Sequence, residues 1–429
     1  MDAVLGHPTA LRSVAAVPPP PRREAPLLAG AALLPLLTAG FVNLAAEWRV
    51  GPVSGMGAQT AVEAVLVSCA AFLAARWPRR LLLCLAPFAL FLLWAALRSI
   101  LAPPTFEGAQ NALVYLLFGA GVLLSGTLAT RDPTGMSARL ARGIGWIQWT
   151  ALAVLAANLA LWGLPRGGNW VVGPRSLALV GLIPLNWHLA RWSAGRRRSL
   201  WLAGLWFAAV VATTSRTASA IALVSLAVVV ALQAPRRPGR AAAGLAALAA
   251  GLALGAALVA FAPPFHARFF QGDTSLQIGE YAINASGRTA FWRLMVESAS
   301  EAPVVGHGLG SSQGVMAAEF FASDNIRHPH NDYLRLWHDL GAVGLGLLLW
   351  ALLLWAVVLA RQWRRLDRAD HSARMVPLFA LLVLLELLLA MTTDNVLVYP
   401  FFMGAAGIIL GTALGLEARR GAPPRPDSR

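Results

Sequence analysis

Residues 326–360 have the sequence IRHPHNDYLRLWHDLGAVGLGLLLWALLLWAVVLA, in which a polar segment passes directly into a long apolar one. The part from 341 to 360 carries no charge and is long enough to cross a hydrocarbon core about 30 Å thick. The preceding part contains three of the chain's eight histidines, at positions 328, 330 and 338. This contrast predicts a membrane-spanning helix with a polar cluster at one end.

Similar apolar segments recur along most of the chain. Its 429 residues are 57% hydrophobic and only 13% charged, and the mean hydropathy is +0.61, whereas a soluble domain is about a quarter charged. Because lipid offers the backbone no hydrogen-bond partners, each span is expected to be helical. The predicted spans are 27–46, 58–75, 81–98, 110–129, 144–163, 175–191, 199–213, 217–233, 241–262, 341–360, 375–391 and 396–416. The sequence therefore predicts an all-α polytopic membrane protein with about twelve transmembrane helices.

The basic residues predict the orientation of these helices. All 35 are arginine, and 25 of them lie in the links on one side of the predicted membrane and 10 on the other. The positive-inside rule makes the richer side cytoplasmic, so both termini are predicted to be cytoplasmic. The net charge of +15 is thus explained by topology. It does not indicate nucleic-acid binding, which needs the basic residues on one folded surface.

These patterns divide the chain into five parts. They are a disordered cytoplasmic N-terminus (1–26), transmembrane helices one to nine (27–262), a periplasmic cap with short helices (263–340), helices ten to twelve (341–416) and a cytoplasmic tail (417–429). A connection as long as 263–340 in a compact protein is functional or disordered. Cys69 and Cys84 both fall inside predicted spans, so no disulfide framework is expected.

The polar segment before the tenth span predicts its own local structure. Pro329 disfavours helix at His328 and suits a helix start, and the apolar spacing from Asn331 onward is helical, with Gly341 near the junction to the span. His330 is then at the helix N-terminus, where the dipole keeps the imidazole neutral and suited to act as a base. His338, a turn or two deeper, is expected to be a hydrogen-bonded structural residue.

Two arginines stand among small residues at the outer side of the predicted membrane. Arg216 lies in TTSRTASA, where one span ends and the next begins, and either extends to the interface or faces a site. Arg288 lies in SGRTAFW and is either a surface charge or a turn residue aimed at the membrane. GHGLGSS, from Gly306, is either a flexible turn or a backbone anion site. Zinc binding by His328, His330 and Asp332 is disfavoured because no third strong ligand follows at a usual spacing.

Together these segments resemble the O-antigen ligase and polymerase superfamily. HNDYLRLWHDLGAVG contains His330, Asn331, Gly341 and Gly344 in a pattern similar to that of the family, and TTSRTASA, SGRTAFW, PVVGHGLG and the large external loop follow in the family's order. The resemblance covers about residues 170 to 416. One departure is Ala220, where the family often has leucine.

The resemblance implies a C-type glycosyltransferase of the bacterial inner membrane whose active site faces the periplasm. Its donor would be O-antigen on undecaprenyl diphosphate and its acceptor a sugar hydroxyl of lipid A–core, with no cofactor and no metal. By this resemblance His330 is the base and Arg216 and Arg288 bind the diphosphate. The secondary candidates are Asn331, His338, Arg175 and His328.

Other functions remain open at this point. An O-antigen polymerase or a protein O-glycan ligase uses the same donor with a different acceptor. A transporter of lipid-linked sugar belongs to another class, which often shows internal repeats and midplane polar residues. Here no repeat is seen, and Glu63 and Glu386 are the acidic residues within predicted spans. The polar cluster at the outer face favours an enzyme.

Overall fold

The computed structural model of the chain describes residues 26–46, 48–50, 53–165, 170–234, 238–273, 275–278, 281–320, 328–366 and 371–420. The N-terminus predicted to be disordered, 1–26, lies outside this range apart from Pro26, which begins a helix, and the predicted tail, 417–429, is described only up to residue 420.

Long helices account for most of the described residues. In chain order they are α1 (Pro26–Ala39), α2 (Gly55–Leu73), α3 (Arg79–Leu101), α4 (Phe106–Arg131), α5 (Pro133–Trp162), α6 (Pro174–Ser193), α7 (Arg198–Ala212), α8 (Arg216–Gln233) and α9 (Pro238–Phe261), then three short helices, α10 (Pro263–Phe270), α11 (Arg288–Ala299) and α12 (Ser311–Glu319), and finally α13 (Asp332–Arg365), α14 (His371–Ala390) and α15 (Pro400–Arg420). A short 3-10 helix, Val396–Val398, precedes α15.

The described residues contain four very short strands. β1 (Arg49–Val50) pairs antiparallel with β2 (Val53–Ser54), and β3 (Leu276–Ile278) with β4 (Tyr281–Ile283). They form two separate hairpins in links between helices, and neither contributes a sheet to the core.

Nine of the described helices are long and apolar enough to cross a membrane. Each of the twelve predicted spans overlaps a helix of the structure. Three of these twelve helices are not among the nine: α1 and α7 are shorter, and α6 carries more polar residues. The predicted fold class, an all-α polytopic membrane protein, is confirmed.

Helices α4 and α15 form the centre of the bundle. In its apolar window α15 is 89% buried, whereas α9 at the periphery is 6% buried. Gly407, Gly411 and Gly415 recur every four residues along α15 and face α4. A Cβ atom at Gly411 would lie 2.2 Å from Ser125 Oγ and 2.3 Å from the Val122 carbonyl oxygen. The two backbones approach this closely because small residues leave room, as is usual between membrane helices.

The segment before the tenth predicted span folds against the bundle. α13 is two helical pieces that meet at Gly341, whose φ of 67° and ψ of −174° interrupt the helical backbone. A Cβ atom there would lie 2.1 Å from the carbonyl oxygen of Val304. Glycine is therefore required at this position twice over, by its positive φ and by the close approach of another chain segment. The predicted junction at Gly341 is found.

Candidate functional site

Arginines from four different elements converge at one end of the bundle. The arginines are Arg175 at the start of α6, Arg216 at the start of α8, Arg268 near the end of α10 and Arg288 at the start of α11. Arg216 lies over the ring of Phe269 and bonds to the segment that precedes Arg288. The four arginines are close enough for their charges to act on one another. Four mutually repelling cations are held together only when the fold is strong enough to oppose the repulsion, and such an arrangement attracts anions.

Arg216 and Arg288 are held by backbone and hydroxyl groups that leave their charges unneutralised. Arg216 donates to the carbonyl oxygen of Asn284 at 2.8 Å and to Ser286 Oγ at 3.2 Å. Arg288 donates from Nη2 to the carbonyl oxygen of Thr393 at 3.3 Å. Its Nε atom is buried and has no hydrogen-bond partner within the described residues. A buried charged donor without a partner is costly, so a bound anion would stabilise it.

Burial and the neighbouring cations lower the pKa of Arg268 and Arg288, which lie on short helices outside the apolar spans. Burial first, then Arg175 and Arg216, lower the pKa of Arg288 to about 10. Burial, Arg175 and Arg216 likewise lower the pKa of Arg268. Both groups remain charged at neutral pH, and an anion among them would relieve the repulsion that causes the shift.

Three residues with a left-handed backbone stand next to the candidate side chains. Thr214 (φ 57°) precedes Arg216 by two residues, Ser286 (φ 55°) precedes Arg288 by two, and His330 itself has φ 52°. Each such position costs about 1–3 kcal/mol for a residue other than glycine and persists only where the surrounding structure enforces it. The fold thus holds these side chains in place at an energetic cost.

His330 faces a buried carboxylate that lies between the last two spans. Its Nδ1 atom is 2.9 Å from Asn395 Nδ2 and 3.7 Å from Asp394 Oδ1. The longer distance is an electrostatic contact and not a hydrogen bond. Asp394 is 4% exposed and its Oδ1 accepts from the Tyr399 hydroxyl at 2.8 Å. As placed, the amide nitrogen of Asn395 donates to Nδ1, which puts the proton of neutral His330 on Nε2. Exchanging the amide nitrogen and oxygen gives the buried Asn395 Oδ1 a partner in Nδ1–H and leaves Nε2 as the free basic nitrogen.

The surroundings of His330 keep it neutral. Burial lowers the pKa of His330, Asp394 raises it, and Arg175 and Arg288 lower it again, so that the net shift is below the ordinary value. Burial alone would raise the pKa of Asp394, but contact with His330 and the charge of Arg175 outweigh burial and lower it. At neutral pH the pair is a neutral imidazole beside a carboxylate, the arrangement that a general base needs.

A buried ion pair fixes the Asp394 segment against the start of α13. Asp332 Oδ2 accepts from the backbone N–H of Leu397 at 2.8 Å, and the Asp332 N–H donates to the carbonyl oxygen of Met391 at 2.9 Å. Arg335 donates to Asp332 Oδ1 at 2.7 Å from both Nε and Nη2. Its Nη2 also lies 3.1 Å from the hydroxyl of Tyr115 on α4. This network sets the distance between His330 and Asp394, and it commits Asp332 to a structural role.

The turn that begins at Gly306 encloses a carboxylate of the chain itself. Gly310 N and Ser312 N donate to the two oxygens of Asp339 at 3.0 and 2.8 Å. His338, fully buried, contacts Ser298 and stacks on His307 with ring centroids 4.6 Å apart. The backbone of GHGLGSS is therefore an anion site for Asp339. His338, one of the secondary site candidates, makes hydrogen-bonding and packing contacts here.

The remaining sequence candidates have local partners. Asn331 is the N-cap of α13 and accepts from the N–H of Leu334 at 3.1 Å. His328 Nδ1 lies 3.3 Å from Gln313 Nε2, and burial, then Arg335, lower the pKa of His328 to about 3. Within the described residues no group of three His, Cys, Asp or Glu side chains is placed to hold a metal ion.

A comparison with known families gives a match to the middle part of the chain. Residues 199–349 match the family model described as O-Antigen ligase. This match supports membership of the O-antigen ligase and polymerase superfamily. The matched range contains Arg216, Arg268, Arg288 and His330, whereas Arg175 and Asp394 lie outside it. No curated protein matches the chain.

The family match and the fold both bear on the broad class of the protein. The family implies a glycosyltransferase-like ligase or polymerase that acts on lipid-linked polysaccharide. The nine apolar helices support a multi-pass membrane protein. The predicted membership and the predicted class of enzyme agree with these findings.

Sequence analysis overlooked three residues of the site. Arg268 was counted only as an outer arginine, and Asp394 and Asn395 were not singled out. A signal was present for the latter two: residues 392–395 form a short polar link between two predicted spans, at the same end of the bundle as His330. For Arg268, which follows the ninth span directly, no spacing distinguishes it from an interfacial arginine.

Proposed function

We propose that this protein is an O-antigen ligase of the bacterial inner membrane that transfers O-antigen from undecaprenyl diphosphate to a sugar hydroxyl of lipid A–core. Both termini are cytoplasmic and the arginine cluster faces the periplasm, in accord with the excess of arginine in the links at the opposite end. The observation that carries the proposal is the convergence of four arginines beside a neutral histidine paired with a buried carboxylate.

The diphosphate of the donor occupies the arginine cluster. Arg216 and Arg288 bind its oxygens, and Arg175 and Arg268 add positive charge. Guanidinium groups suit this role because their planar forks match phosphate oxygens. Negative charge grows on the diphosphate as the glycosidic bond breaks, so cations already in place stabilise the transition state. The cluster supplies this charge without a metal ion.

His330 removes the proton of the acceptor hydroxyl. The acceptor oxygen forms a bond to the anomeric carbon of the donor sugar, the bond from that carbon to the diphosphate oxygen breaks, and the proton passes to His330. Direct displacement inverts the anomeric configuration. The buried carboxylate of Asp394 stabilises the imidazolium that forms, and the products are glycosylated lipid A–core and undecaprenyl diphosphate.

The function is tested with purified protein, undecaprenyl-diphosphate-linked glycan and lipid A–core in the presence of EDTA, with the products separated on a gel. Glycan attached to lipid A–core is the expected result. Glycan lengthened on its own lipid carrier would instead show a polymerase, and glycan transferred to protein a protein O-glycan ligase. Movement of the donor across vesicle membranes without any transfer would show a transporter.

A further inference from the structure

A second cavity is lined in part by His328, two residues before His330, and by no arginine of the cluster. It is a cavity of about 140 Å³ between the start of α2, the start of α4, α12 and the link that precedes α15. Its polar lining comes from Ser54, Thr60, Gln110, Asn111, Gln313, His328 and Tyr399. The mechanism proposed above assigns no role to this cavity.

The lining is uncharged and mixed in character. Hydroxyl, amide and imidazole groups lie among apolar side chains such as Leu113, Val114 and Val398, and no arginine, aspartate or glutamate is found among the described lining residues. Burial and the neighbouring Arg335 hold the pKa of His328 at about 3, and burial raises the pKa of Tyr399, so both are neutral at pH 7. Such a surface offers donors and acceptors in pairs, which suits the hydroxyl groups of a sugar and does not attract a phosphate.

Hydrogen bonds fix the lining groups before any ligand enters. Asn111 Nδ2 lies 3.5 Å from Gln313 Oε1, and Gln313 Nε2 lies 3.3 Å from His328 Nδ1. Asn111 and Gln313 are only 2% and 6% exposed. A row of polar side chains held in this way is preorganised, so binding a sugar costs little additional ordering.

The cavity adjoins the reacting groups through two of its lining residues. The Tyr399 hydroxyl donates to Asp394 Oδ1 at 2.8 Å, and that oxygen lies 3.7 Å from His330 Nδ1. His328 precedes His330 by two residues. Arg175 and Arg288, by contrast, act on His330 from the cluster. His330 is thus in electrostatic contact with the cluster, here called its cationic side, and is linked through Asp394 and Tyr399 to the uncharged cavity, here called its neutral side.

Direct displacement assigns the two sides to the two substrates. The leaving diphosphate and the attacking hydroxyl must lie on opposite faces of the anomeric carbon. With the diphosphate among the arginines, the attacking sugar comes from the neutral side. The cavity is smaller than the ~300–1,000 Å³ of a pocket for a drug-sized ligand, and so it suits a single ring and not a longer glycan.

We propose that this cavity binds an uncharged sugar ring of the acceptor and presents its hydroxyl to His330. The inference rests on the proposed function, because it takes the arginine cluster as the donor side. It makes Gln313, Asn111 and Gln110 acceptor-binding residues, which determine the affinity for the acceptor and not for the donor.

The kinetic test compares Gln313→Ala and Gln110→Ala with the control Asn158→Ala. Asn158 is a buried amide on α5, 3% exposed and outside the cavity lining. Transfer rates are measured while lipid A–core and the lipid-linked donor are varied separately. We expect the KM for lipid A–core to rise about tenfold in the cavity variants, the loss corresponding to one hydrogen bond, with the KM for the donor unchanged. The control retains both constants.

A labelling test provides an answer without turnover. In a protein with Cys69→Ala and Cys84→Ala, the Gln110→Cys variant is exposed to a polar maleimide. Lipid A–core is expected to slow the labelling, and undecaprenyl-diphosphate-linked glycan is not. Protection by the donor alone, or a rise in the KM for the donor alone, would overturn the acceptor assignment. No change in either constant and no protection would show that the cavity holds no substrate.

The two proposals fail in different ways. A wild-type protein that transfers no glycan to lipid A–core refutes the proposed function, whatever the cavity variants do. A wild-type protein that transfers glycan normally while the cavity variants keep an unchanged KM for lipid A–core refutes the cavity assignment and leaves the ligase function intact.

Discussion

Arg288 allows the clearest test of the cluster, because its replacement should change activity and stability in opposite directions. In Arg288→Met a cation is removed from among Arg175, Arg216 and Arg268, and the unbranched side chain still fills the space on α11. The Nε donor of Arg288 has no partner within the described residues, so at least one donor is available for an oxygen of the diphosphate. Loss of one such donor costs about 2.7–4 kcal/mol in the transition state.

That energy corresponds to a fall in kcat/KM of about 10²–10³-fold. The folded protein, however, is relieved of repulsion, since the neighbouring cations lower the pKa of Arg288 to about 10 together with burial. We therefore expect the thermal unfolding midpoint of the variant to be equal to that of the wild type or higher. The assay is initial-rate transfer of glycan to lipid A–core by purified protein, with unfolding measured on the same preparations.

Arg293→Met is the matched control, since Arg293 lies on the same helix with its side chain exposed. It should leave both activity and the unfolding midpoint unchanged. Loss of activity in Arg288→Met accompanied by a clearly lower midpoint would refute the argument, because Arg288 would then be a structural cation. Normal transfer by Arg288→Met would remove Arg288 from the donor site.

Three further predictions follow from other parts of the structure. Asp394→Asn removes the charge that raises the pKa of His330, so kcat should fall. Activity is lost at acidic pH when His330 becomes protonated, and this acidic limb of the pH–rate profile should move to lower pH in the variant. A shift of the limb to higher pH would contradict the pairing of His330 with Asp394. Arg335→Met leaves the buried carboxylate of Asp332 without its partner and should lower the free energy of unfolding by about 3–5 kcal/mol. Chemical denaturation in detergent measures this free energy. An unchanged value would show that the ion pair is dispensable. Gly411→Val forces a side chain into the backbone of α4 and should destabilise the bundle by at least about 2 kcal/mol. The control Gly255→Val should not destabilise it, because no atom lies within 4 Å of a Cβ at that position. Equal losses of stability in the two variants would show that Gly411 does not mark the close helix contact.

Much of the site was predictable because its residues interrupt apolar sequence. Arg216, Arg288 and His330 stand beside segments that cross a membrane, and a charge at such a place has few structural explanations. The position of Gly341 was predictable for a similar reason, since a glycine at the junction of a polar helix and an apolar one permits a change of direction. The twelve apolar segments likewise predicted the helices, because length and hydropathy are properties of the local sequence.

The partners of these residues were not predictable in the same way. Asp394 and Asn395 are 64 and 65 residues from His330 along the chain, and no local pattern links them. Their approach depends on Asp332, which receives the N–H of Leu397 and pairs with Arg335. A buried ion pair of this kind is a tertiary contact, and nothing in the sequence around Asp332 indicates it.

The amino-acid sequence by itself determined the membrane-spanning class, the helices and the polar segments between them, because the hydrophobic effect and the need to satisfy the backbone in lipid act on each segment locally. Only the tertiary structure decided which of the ten arginines of the outer links act together, which histidine faces a carboxylate and which is buried in packing. Those choices depend on how the helices pack, and packing is set by contacts such as that of Gly411 with α4, between residues far apart in the chain.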